Sequence, residues 1–131
     1  FATWTPDVVI ITLGTNDFSP QGNPDEAGWV AAYVAFIKQI RTRYPKAPVY
    51  CALGTMMSDW PDKLKPRTTI LGYLAKVVEQ SNAAGSPPVR LIDFGVQKTE
   101  NGIGANWHPS AKTHALMGAE LAKALKTDLG W

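Results

Sequence analysis

Val8-Val9-Ile10-Ile11-Thr12-Leu13 is an apolar, β-branched run with almost no alternation, the pattern of a strand covered on both faces in a parallel sheet. Two further short runs, Val49 to Leu53 and Val89 to Phe94, read the same way. Between them the apolar spacing changes to threes and fours. Trp29, Val30, Tyr33, Val34, Ile37 and Ile40 make one stripe of a helix that reaches about Arg43. Its start is read from Asn23 as N-cap, Pro24 in the first helical position and the acids Asp25 and Glu26 in the first turn; Tyr44-Pro45 ends it. Ile70, Leu71, Leu74, Val77 and Val78 predict a second helix from about Arg67 to Ala84, with Gly85 as C-cap. Leu116, Ala119, Leu121, Ala122 and Leu125 predict a third from near Pro109 to about Lys126.

The order β-α-β-α-β-α, joined by right-handed crossovers, predicts an α/β fold: a three-stranded parallel sheet with helices on its faces. In such a sheet all strand-to-helix loops leave at the carboxyl edge, where ligands bind. Those three loops carry Asn16, Trp60 and His108. One site is therefore expected there.

The chemistry in those loops is that of acyl transfer. Gly14 lets the chain turn close to a ligand, and the neutral amide of Asn16 can donate to an oxygen that gains negative charge. Imidazole titrates near neutrality, so His108 can take a proton from a serine hydroxyl and return it to a leaving alcohol. Each has a plainer reading: Asn16 as a turn cap, His108 as a histidine beside a helix start. Asp17 is expected to pin its loop through backbone N–H groups. Trp60 and Trp107 can stack on a sugar ring or simply pack. Ser19, Ser58, Ser81, Ser86 and Ser110 are the available hydroxyls near these elements, and none sits in a nucleophile elbow.

Gly14-Thr15-Asn16-Asp17 resembles the third sequence block of the SGNH hydrolases, and Trp107-His108-Pro109 resembles the fifth, where the catalytic histidine sits. The run Leu13 to Phe18, taken with an aromatic-His-Pro ending, is similar to carbohydrate esterase family 2, acetyl esterases of plant polysaccharides. The resemblance implies a three-layer α/β/α, flavodoxin-like fold, a secreted bacterial enzyme and an acetylated xylan or mannan substrate. No cofactor is needed for that chemistry. It implies that His108 and Asn16 are catalytic, with Gly14 and Asp17 supporting the oxyanion loop, and a sugar substrate would suit stacking on Trp60 and Trp107.

The family's Gly-Asp-Ser block, with its serine, and its oxyanion-hole glycine block do not occur in these residues. Residues 1–131 are therefore expected to be the C-terminal portion of a single SGNH hydrolase domain, partnered by the N-terminal segment that supplies the serine. In most of these enzymes an Asp three residues before the histidine holds its tautomer; that position here is Ala105. Asp93, Asn106 or a backbone carbonyl of the Gly104–Asn106 loop could take its place, and a Ser-His dyad leaning on a carbonyl is the preferred reading. An SGNH lipase or thioesterase and a non-catalytic carbohydrate-binding remnant are the alternatives.

Composition excludes other classes. A net charge of +2 is too small and too evenly spread for a nucleic-acid surface, and Lys38, Arg41, Arg43 and Lys46 fall where a helix dipole favours cations. No apolar run approaches the ~20 residues of a membrane helix. Cys51 is the sole cysteine, mid-strand, and reads as a buried thiol. Two histidines without clustered carboxylates give no metal-ligand set, and no Gly-rich phosphate loop follows a strand.

Overall fold

The computed structural model describes residues 3–18, 20–83, 85 and 87–131. Its elements are β1 (Val9–Ile11), α1 (Glu26–Arg43), β2 (Val49–Leu53), α2 (Pro66–Ala83), β3 (Val89–Asp93) and α3 (Ala111–Leu129). The sheet order is β1-β2-β3 with both pairings parallel, Ile10 opposite Tyr50 and Tyr50 opposite Arg90. The parallel α/β fold expected from the sequence is present.

β2 is the centre. Every residue of it is buried, because it has a neighbouring strand on each side and helices above and below. Its alternation sorts the layers. Val49, Cys51 and Leu53 join the core with Ile37 of α1 and with Ile70, Leu74 and Val77 of α2. Each such side chain, fully buried, contributes roughly 1.5–3 kcal/mol. Tyr50 points to the opposite face, where its hydroxyl donates to Asp128 Oδ2 of α3 at 2.7 Å, and Arg90 Nε pairs with the same carboxylate at 3.1 Å. So α1 and α2 cover one face and α3 the other. Burial pushes the Cys51 thiol up to about 12, which leaves it protonated and inert.

Several expectations shift in detail. β1 is shorter than the six-residue apolar run, and of its three residues only Ile11 is buried. It is an edge strand with one neighbour among the described residues, and Leu13 beyond it is 55% exposed. The N-cap of α1 is Asp25, which accepts from Gly28 N at 2.7 Å. Asn23 instead ties the start of α1 to that of α2, donating to Leu64 O at 2.8 Å and Thr69 Oγ1 at 3.2 Å. α2 runs Pro66–Ala83; Ala84 lies outside the described residues, and Gly85 turns away at φ 117°. β3 stops at Asp93, and α3 begins at Ala111 with Ser110 as N-cap rather than at Pro109. Along α3, Thr113 is buried and Met117, Leu121 and Leu125 are half-buried, while Leu116, Ala119 and Ala122 of the expected inward stripe are exposed.

Among the described residues no helix is long and apolar enough to cross a membrane, and no three His, Cys, Asp or Glu side chains gather as a metal-ligand set.

The loop after β2 caps the next helix. Lys65 precedes α2 with φ 44° and has no acceptor side chain to offer. Asp59 substitutes, accepting from Thr68 N at 2.7 Å and Thr68 Oγ1 at 2.6 Å, and these bonds hold its carboxyl below the usual carboxylate range. A carboxylate lowered on folding gives stability that is complete above its unfolded pKa, ~3.9, and is lost as pH falls through its folded value. Asp59→Ala is expected to cost about 1 kcal/mol at pH 7. Its penalty should shrink as the pH falls below about 4 and the native carboxyl protonates. Thermal melts across that range check this; a penalty independent of pH would refute the charged cap.

Candidate active site

The first loop is built around a glycine that nothing else can replace. Gly14 has φ 105°, and a Cβ there would lie 2.7 Å from Trp29 Cζ2 and 3.3 Å from Ile70 Cδ1. The chain can therefore settle onto the helical layer before curling into the 3-10 turn Thr15–Asp17, closed by Asp17 N donating to Gly14 O at 3.0 Å. Asp17 does hold this loop, but its partner is a side chain: Trp29 Nε1 donates to Asp17 Oδ2 at 2.8 Å. Trp29 is itself fixed among Phe18, Tyr33 and Tyr73, with ring centroids 5.0–5.8 Å apart. Asn16 is exposed at the tip, beside a cleft of about 380 Å³ lined by residues Thr12 to Asp17. Its amide makes no hydrogen bond among the described residues, which leaves both N–H groups for a ligand.

The third loop is a closed backbone structure. Ile103 and Pro109 form an antiparallel bridge, Gly104 N donates to His108 O at 2.7 Å, and His108 N donates to Ala105 O at 3.0 Å. Gly104 permits this closure, since a Cβ there would stand 2.9 Å from Pro109 O and 3.0 Å from His108 O. Between them Asn106 and Trp107 take left-handed conformations, φ 50° and 65°. Asn tolerates this region; for Trp the cost is of order 1–3 kcal/mol, so surrounding bonds must hold it. Ser110 anchors the far end: its Oγ donates to Asn101 O at 2.6 Å and accepts from Thr113 N at 3.2 Å.

His108 Nδ1 lies 3.0 Å from Ala105 O and 3.2 Å from Asn106 O. Carbonyl oxygens only accept, so Nδ1 must carry the proton, and in the neutral ring the basic lone pair is on Nε2. The imidazole is exposed, and its tautomer is set without a carboxylate.

Asp93 makes no hydrogen bond to His108 among the described residues. It pairs with Arg67 of α2 and accepts from Gly95 N at 2.9 Å, while Arg67 Nη1 reaches Met57 O at 3.3 Å. That cluster ties the end of β3 to the loop after β2. Asn106 meets the imidazole through its carbonyl and not its amide. Trp60 and Trp107, on the second and third loops, are 71% and 61% exposed, so neither is packing in the core. Trp60 N donates to Ser58 Oγ at 3.4 Å. His114 is an exposed residue of α3 whose N–H bonds to Ser110 O. Of the serines considered, Ser81 is buried in α2 and Ser110 is spent on its cap, while Ser19 and Ser86 lie outside the described residues.

Sequence reasoning missed Trp29, Arg67 and Gln97 as parts of the site. Gln97 Nε2 donates to Trp107 O at 2.7 Å, and its backbone N–H to Thr55 O at 2.8 Å, joining the second and third loops. These partners sit ten to forty-two residues away, and no spacing announces them.

The chain is 37% identical over 131 residues to the cellulase/esterase CelE of Acetivibrio thermocellus, matching all of itself and 15% of that protein. It is 33% identical to an acetylxylan esterase / glucomannan deacetylase of Cellvibrio japonicus over 97% of itself and 34% of the relative. The structure of a family two carbohydrate esterase from Clostridium thermocellum, in complex with cellohexaose, superposes with a TM-score of 0.88 at 37% identity, over 99% of this chain and 38% of that one. The chain thus spans about a third or less of the curated relatives it matches. Residues 1–116 match the GDSL-like Lipase/Acylhydrolase family, and the chain belongs to it.

Proposed function

We propose that this chain forms part of a secreted carbohydrate esterase that removes acetyl groups from xylan- or mannan-type polysaccharides. The observation that carries this reading is His108 with Nδ1 held on the Ala105 and Asn106 carbonyls and Nε2 left as the base, on the same sheet edge as the unpartnered amide of Asn16. Residues 1–131 are read as the C-terminal portion of a single SGNH domain, with the serine supplied from outside them. The second edge of β1 carries no strand among the described residues, and Leu116, Ala119 and Ala122 are exposed on α3; the remaining elements of the domain would pack there.

The serine oxygen attacks the acetyl carbonyl while its proton passes to His108 Nε2. The carbonyl oxygen becomes an oxyanion that accepts from the Asn16 amide, an interaction worth ~3 kcal/mol in the transition state. His108 then returns the proton to the sugar oxygen, which leaves as an alcohol. Water repeats the sequence on the acyl-enzyme: its proton goes to His108, acetate departs, and the serine is restored. The dyad needs no carboxylate as a third member because the imidazolium formed at each half-reaction keeps its Nδ1–H on two carbonyl oxygens.

The exposed indoles of Trp60 and Trp107 support a sugar rather than a lipid or thioester substrate, as aromatic faces suit the C–H face of a pyranose. The cleft beside Asn16 carries Thr12, Thr15 and Asp17 beside Leu13 and Gly14, a mixed lining and not the wholly apolar one that suits a long acyl chain. The similarity to an acetylxylan esterase / glucomannan deacetylase and to a cellohexaose-bound esterase points the same way.

In the protein that carries this chain, p-nitrophenyl acetate turnover is expected to fall at least ~10³-fold in His108→Ala. Asn16→Ala should lose ~10²- to 10³-fold in kcat. Asp93→Asn should lower the melting temperature by freeing Arg67 yet keep kcat within about ten-fold; a loss equal to that of His108→Ala would restore Asp93 as a triad acid. Gly104→Ala should displace the His108 loop and cost ~10²-fold in kcat, with the far-UV circular dichroism of the folded protein unchanged. Turnover that survives His108→Ala would overturn the reading.

A further inference from the structure

We infer that Gln97 is the positioning residue of His108, an inference that rests on the ester-hydrolase reading of the site. The ladder between β2 and β3 is regular as far as Phe94 N, which donates to Leu53 O at 3.2 Å. Two residues on, a regular parallel ladder would have Val96 N donate to Thr55 O. Gln97 N occupies that position instead, at 2.8 Å, so one extra residue has been inserted. Gly95, at φ 75°, supplies the turn this bulge needs. Bulges re-aim side chains beside functional sites, and this one puts Gln97 where Val96 would have been.

The re-aimed side chain grips the loop of the base. Nε2 donates to Trp107 O at 2.7 Å, while the N–H of the same peptide unit, that of His108, donates to Ala105 O at 3.0 Å. The peptide plane between Trp107 and His108 is therefore held at both of its polar atoms. Its orientation sets where the His108 Cα–Cβ bond starts, and hence whether Nδ1 can meet Ala105 O. It also retains Trp107 at φ 65°, a conformation the residue would otherwise leave. The acceptor at Trp107 dictates which end of the Gln97 amide points to it: the NH₂ faces the carbonyl, and Oε1 is turned into the protein, buried without a partner. Gln97 also lines a cavity of about 290 Å³ together with Thr113 and Met117.

Gln97→Glu separates this role from packing. It keeps the shape of the side chain but replaces the donor by an acceptor facing a carbonyl oxygen. In the protein that carries this chain, with p-nitrophenyl acetate as the probe, Gln97→Glu and Gln97→Met are both expected to lower kcat by ~10- to 100-fold with KM within two-fold. Rates are referred to sites counted by titration with an organophosphorus serine reagent, so that unfolded protein does not enter the comparison. A residue that merely packs would lower the number of titratable sites and leave the rate per site intact. Turnover lost in His108→Ala but unchanged per site in both Gln97 variants would overturn the inference alone. Turnover that survives His108→Ala would overturn the ester-hydrolase reading and this inference with it.

Discussion

Two parallel pairings through β2 decide where everything else lies. Val49 N donates to Pro88 O and Val9 N to Pro48 O, and from those starts both ladders advance in the same direction. Each strand must then end at the same edge, and each connection must travel back over a face as a helix. The turn with Asn16, the loop with Trp60 and the loop with His108 leave the sheet at one edge for that reason alone. Burial of β2 on both sides makes the register costly to change, because a one-residue slip would drive Tyr50 into the α1–α2 core and Cys51 out of it.

At that edge the protein holds its imidazole with backbone rather than with a carboxylate. Gly14 and Gly104 each admit a contact that a Cβ would block, one against Trp29 and the other against the carbonyls of His108 and Pro109. Asp93 and Asp59, at the end of β3 and in the loop after β2, serve Arg67 and the α2 N-terminus. The imidazole is left to carbonyl oxygens. A carbonyl is a weaker partner than an ionised carboxylate for the charged ring, yet it fixes the same tautomer, and fixing the tautomer is what frees Nε2.

The sequence made β2 and the helical stripes legible because burial on a regular period leaves a regular pattern. Ile37, Ile70, Leu74 and Val77 are in the core as their spacing predicts. Where the environment is not periodic the pattern misleads. Leu13 continues an apolar run past the end of an edge strand, and Leu116 sits in an apolar stripe on a helix face that is open, so neither is buried. Asn23 and Asp25 are both good caps, and only the three-dimensional pull of Leu64 O and Thr69 decides between them. Which loops leave at the candidate site's edge was legible from topology, while Asn16 and His108 were singled out by their resemblance to known blocks. Gln97, Arg67 and the indole of Trp29 were not, since each acts across a loop-to-loop distance that has no counterpart in local spacing.

The central claim is that backbone carbonyls place the proton of His108 on Nδ1. It can be read directly from the ¹⁵N shifts and long-range ¹⁵N–¹H couplings of the His108 ring at a pH where it is neutral. A protonated Nδ1 and an unprotonated Nε2 are predicted. A ring with its proton on Nε2 would contradict the account, because the lone pair would then face the Ala105 and Asn106 carbonyls and no base would be left for a serine.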